Sequence, residues 1–127
     1  MHSDSANEIF QQLREQLLEY AEGLTCTADN KQEYSLYTHH IMKNKKALFF
    51  AAAIIRKHYV SFHLMPVYVT PELLEGVSPE LRRRMQGKSC FNFRRADEAL
   101  FEQLTALTRS GYDSYVEQGY ILPPARA

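Results

Sequence analysis

Tyr59-Val60-Ser61-Phe62-His63-Leu64-Met65 and Lys88-Ser89-Cys90-Phe91-Asn92-Phe93-Arg94 both alternate apolar and polar residues. Side chains along a strand point to opposite faces with a period of two. The two segments therefore read as strands, with Val60, Phe62 and Leu64 on one side and Ser61 and His63 on the other. Phe91 and Phe93 separate from Cys90, Asn92 and Arg94 in the same way. If both phenylalanine sides join one core, Ser61, His63, Cys90, Asn92 and Arg94 share the opposite face. That face is the leading candidate site.

Outward from these strands, Ala47–Ile55 is apolar on both parities, which suits a central strand covered on both faces. Glu33–His40 alternates loosely and reads as a further strand, joined to it by the lysine-rich turn Met42–Lys46. Cys26–Asn30 reads as a short strand or a loop. Ser5-Ala6-Asn7-Glu8 has capping-box spacing ahead of a helix whose apolar row is Ile9, Leu13, Leu17, Tyr20, Ala21 and Leu24. Thr70-Pro71-Glu72 and Ser78-Pro79-Glu80 each begin a short helix, with Gly76 and Gly87 as stops at positive φ. Asp97 caps a long closing helix with the row Leu100, Leu104, Leu107, Gly111 and Tyr115; Gly111 is tolerable there only under close packing. The expected fold is α+β in two layers. An antiparallel sheet of about five strands carries N-terminal and C-terminal helices, with two short helices before the last strand. The 127 residues form a single domain, with 1–4 and 123–127 as flexible ends.

Composition narrows the function classes. Hydrophobic residues make up 45% of the chain, enough for a packed core. Fifteen basic residues cancel fifteen acidic ones, so no net charge draws the chain to nucleic acid or an anionic membrane. Locally the balance breaks. Residues 1–24 are acid-rich, and residues 82–95 hold Arg82, Arg83, Arg84, Lys88, Arg94 and Arg95 without an acid. The arginine run reads as a solvated helix rather than an RNA surface, because Phe91 and Phe93 are directed inward. Cys26 and Cys90 read as free thiols of a cytoplasmic protein without an export signal or membrane span.

The residues of the candidate face suggest three chemistries. Lys88, Asn92, Arg94, His63 and Tyr68 form a donor set for a small anionic ligand beside Ser61 and Cys90. Cys90 and His63 could alternatively act as nucleophile and base. Two such ligands are too few for a closed zinc site, and no metal-ligand spacing supplies the rest. His39 and His40 point to opposite faces of their strand.

Three pieces of the chain, HLMPVY at 63–68, LLEG…SPELRRRMQGK at 73–88 and SCFNF at 89–93, resemble the YdhG-like family of bacterial domains of unknown function. The likeness extends through 97–119. It implies a small cytoplasmic α+β domain similar to frataxin in its layering. Some members of that wider group are linked to iron, which implies an acidic ridge on the first helix. Glu15, Glu19 and Glu22 are the residues here that would form it. The expectation is thus a non-enzymatic small-ligand or accessory domain without a cofactor, whose partner is a small anion or a protein. Iron chaperoning and a Cys90/His63 enzyme are the alternatives.

Overall fold

The pleat of the two deciding strands is matched residue for residue. Val60 faces Phe93, Ser61 faces Asn92, Phe62 faces Phe91 and His63 faces Cys90, in antiparallel register. The computed structural model describes residues 3–124. The terminal stretches 1–4 and 123–127 therefore lie partly outside the described residues; within them, Ser3 and Asp4 belong to the first helix.

In chain order the elements are α1 (Ser3–Leu18), β1 (Thr25–Asp29), β2 (Glu33–Ile41), β3 (Ala47–Ile55) and β4 (Val60–Leu64). Then come α2 (Pro66–Val69), a 3-10 turn (Pro71–Leu74), α3 (Pro79–Arg82), β5 (Met85–Gln86), β6 (Cys90–Phe93) and α4 (Glu98–Glu117). The strands make one antiparallel sheet of six in the order β1-β2-β3-β4-β6-β5. The sixth strand is the two-residue β5, too short to carry a periodicity. Three short helical pieces, rather than two, precede β6, because Met65 and Pro66 begin a turn of helix directly after β4.

One face of the sheet holds the core. Leu36, Ala51, Ala53, Phe62, Leu64, Phe91 and Phe93 are buried with Ile9, Phe10, Leu13 and Leu17 of α1 and with Leu100, Leu104 and Tyr115 of α4. Both long helices thus lie over the phenylalanine side of β4 and β6. A bulge in β3 adds a feature the sequence pattern hid. Leu36 pairs with Ala51 but Tyr37 pairs with Phe49, which turns Phe50 inward as an extra core residue. The buried Tyr115 hydroxyl donates to the Phe49 carbonyl at 2.9 Å, giving a partner to a backbone group at the bulge.

Several local expectations need correction. Helix α1 starts at Ser3, so Ser5 lies inside it and does not cap it. It ends at Leu18; Tyr20 is buried from the following turn. Thr70 makes no side-chain capping bond, whereas Ser78 Oγ accepts from the Leu81 N–H at 3.2 Å. Asp97 Oδ1 accepts from the Leu100 N–H at 3.1 Å, as its position predicts. Gly87 has φ +78 but turns the β5–β6 hairpin rather than ending a helix, and Gly76 has no positive φ. Gly111 is where close packing demands glycine: a Cβ there would meet Pro66 Cβ at 2.9 Å.

Candidate functional site

The face opposite the core carries Ser35, Ala52, Ser61, His63, Cys90 and Asn92, which follow from the register of β2, β3, β4 and β6. Ser61 is buried, and its Oγ accepts from Arg56 Nε at 3.3 Å. Across the pair, Cys90 Sγ lies 3.9 Å from His63 Nε2 and donates to Asn92 Oδ1 at 3.3 Å. Asn92 Nδ2 in turn donates to Gln86 Oε1 at 2.7 Å. His63, Cys90, Asn92 and Gln86 therefore form a polar chain running from the sheet centre toward the β5 edge.

At that edge the chain meets a groove. Tyr59, Arg83, Arg84, Met85, Gln86, Asn92 and Arg94 line an open space of about 360 Å³. Its position follows from local structure. Helix α3 ends at Arg82, so Arg83 and Arg84 sit on the connection to β5 instead of on a helix. The Arg84 carbonyl accepts from the Asn92 N–H at 2.8 Å, tying this connection to β6. Arg82 is directed elsewhere, its Nη2 donating to the Leu74 carbonyl at 2.8 Å.

Among the described residues, no carboxylate lines the groove. The ion pairs among the described residues are Arg14–Asp29 and Arg109–Glu19, so Arg83, Arg84 and Arg94 have no acidic partner among them. A smaller recess of about 120 Å³ adjoins it through Arg84 and Arg94 and includes Asp97, whose carboxylate already caps α4. Concentrated guanidinium charge in a concave surface draws anions, and each planar fork matches a phosphate or carboxylate.

Of the seven residues expected to form the site, the structure brings Asn92 and Arg94 into the groove. Cys90 and His63 stand behind Asn92, and Ser61 is paired with Arg56. Tyr68 and Lys88 are not among the groove's lining residues. They pair with each other, Lys88 Nζ lying 5.8 Å from the Tyr68 ring centre. Strand β6 begins at Cys90, so Lys88 is in the hairpin turn and does not share the parity of Asn92. Sequence reasoning missed Arg83 and Arg84 by placing them on a helix. The available signal was Leu81, the one strongly apolar residue of a very short helix.

The Cys90/His63 pair is held in its uncharged form. Burial pushes the Cys90 thiol up, outweighing the pull of Arg56, while burial and Arg56 together push His63 down, against a smaller effect of Glu33. A neutral thiol is a poor nucleophile. We expect Cys26, exposed on β1, to react with a thiol reagent at neutral pH at least about tenfold faster than Cys90. Reagent kinetics on Cys26→Ser and Cys90→Ser variants check this. Faster labelling of Cys90 would return the nucleophile reading to the front.

The acidic residues of the first helix are dispersed. Glu22 lies beyond the end of α1, and Glu19 accepts from Arg109 Nη2 at 3.3 Å. These two line a separate cavity of about 370 Å³ that Glu15 does not border. Among the described residues no three or more His, Cys, Asp or Glu side chains group to hold a metal ion. No helix among them is long and apolar enough to cross a membrane. No protein-family model, curated protein or solved structure matches the chain.

Proposed function

We propose that this chain is a non-enzymatic, cytoplasmic domain of YdhG-like type that binds a small anionic ligand in the groove between Tyr59, the Arg83–Gln86 segment and Asn92–Arg94. One observation carries the reading: three arginines without acidic partners among the described residues converge on a concave surface, and no described carboxylate lines it. The volume, about 360 Å³, is at the lower end of small-molecule sites, which run from about 300 to 1,000 Å³. The Asn92 amide, oriented by Cys90 and Gln86, adds a fixed polar group between the cations. The neutral thiol–imidazole pair behind it supports a structural role for Cys90 and His63. Iron chaperoning has less support, since Glu15, Glu19 and Glu22 do not converge.

Thermal unfolding tests this proposal. At about ten times its dissociation constant, phosphate or a polycarboxylate should stabilise the folded chain by about 1.4 kcal/mol, or roughly 5 °C. Chloride at matched ionic strength should not. The double substitution Arg84→Ala/Arg94→Ala should abolish the rise while leaving the unliganded midpoint within about 2 °C, because both side chains are exposed. Equal stabilisation of the double variant, or none in the unaltered chain at millimolar anion, would overturn the reading.

A further inference from the structure

Resting on that anion-binding reading, we infer that the groove takes a phosphate monoester joined to a flat unsaturated ring, the phosphate on the arginines and the ring on Tyr59. The chain has eight tyrosines. Tyr20, Tyr37, Tyr112, Tyr115 and Tyr120 each meet another aromatic ring, and Tyr34 and Tyr68 each carry a cation over the ring. Among the described residues Tyr59 is the exception: it lines the groove half-buried, with neither a ring nor a cation stacked on it. A phenol ring held at the wall of a cationic groove, with no ring or cation already stacked on it, is a stacking platform.

The polar groups select the other half of the ligand. Guanidinium groups only donate. Asn92 Oδ1 already accepts from the Cys90 thiol, and Gln86 Oε1 from Asn92 Nδ2, leaving each amide oxygen one lone pair. Gln86 Nε2 is left as a further donor. Side-chain donors thus outnumber free acceptors, and the matching group is rich in acceptor oxygens and negatively charged. A phosphate monoester offers three such oxygens and close to two charges at neutral pH. A carboxylate offers fewer of both. The groove's limited volume fits one phosphate and one ring system rather than a strand of nucleic acid.

Calorimetric titration of the full chain with inorganic phosphate, ribose phosphate, adenosine and adenosine monophosphate tests the inference. Adenosine monophosphate should bind about tenfold more tightly than ribose phosphate, the increment a single stacked base supplies. Tyr59→Leu should remove that advantage and leave ribose phosphate unchanged, while Tyr59→Phe should retain it. Far-UV circular dichroism confirms that each variant is folded. Equal affinity for the two phosphates would overturn the ring assignment and leave anion binding standing. Failure of every phosphate-bearing probe would overturn both. Adenosine binding as well as adenosine monophosphate would remove the phosphate from the account. Tighter binding of a hexanucleotide lacking terminal phosphates would make the groove a nucleic-acid track and overturn the small-ligand assignment.

Discussion

Phe62→Ala should destabilise the fold by about 4 kcal/mol, and His63→Ala, one residue along the same strand, by no more than about 1 kcal/mol. Phe62 is fully buried on β4, opposite Phe91 of β6 and Ala53 of β3, at the centre of the layer that the helices cover. Removing the ring forfeits its transfer energy and leaves a cavity that neighbouring strands cannot close. His63 points the other way and is half-buried, and its ring meets the Cys90 thiol at a long 3.9 Å. In a chain of this size the Phe62 loss corresponds to a fall in midpoint of roughly 15 °C. Urea unfolding of both variants measures the contrast. Similar losses would mean that the pleat does not separate a core face from an outer face, and the candidate site would lose its basis.

Gly111→Leu is the second large effect, about 3 kcal/mol of destabilisation. On α4, a Cβ at position 111 would lie 2.9 Å from Pro66 Cβ and 3.1 Å from Pro66 Cγ. Both atoms belong to a pyrrolidine ring whose φ is locked, so the neighbour cannot swing aside as a flexible side chain would. Alanine at this position gains about 1 kcal/mol of helix propensity, which offsets part of the same clash. Leucine gains no more and needs far more room, so α4 must separate from α2. Pro66→Ala should recover part of the loss in the double variant. Equilibrium unfolding reads both numbers, and an unchanged stability for Gly111→Leu would show that the two helices are not in contact there.

The parts of this fold legible from sequence are those where one periodicity runs long enough to set a phase. Strands β4 and β6 alternate strictly, and the observed pairs Phe62–Phe91 and His63–Cys90 follow. The α4 row and the Asp97 cap were equally readable, because capping chemistry and helical spacing agree there. Strand β5 was not, since two residues carry no pattern and Met85–Gln86 is a strand only because β6 supplies its hydrogen-bonding partner. The same tertiary pairing fixed the end of α3 at Arg82 and so moved Arg83 and Arg84 from a presumed helix surface into the groove. Lys88 was misgrouped because Gly87 at positive φ turns the hairpin and breaks the alternation before Cys90, and Tyr68 because the chain leaves β4 for the helical turn Pro66–Val69. Of the groove's seven lining residues, Asn92 and Arg94 were thus visible as strand parity. The Arg83–Gln86 part depends on which segment lies beside β6, and no local pattern encodes that.

Site-resolved nitrogen NMR during titration with inorganic phosphate addresses the anion site most directly. The side-chain Nε–Hε signals of Arg83, Arg84 and Arg94 and the Asn92 carboxamide should shift together along one saturating curve, with those of Arg14 and Arg109, already paired with acids, holding still. Shifts spread evenly over every exposed arginine, or centred on Lys88 and Tyr68, would contradict the assignment of the groove as the ligand site.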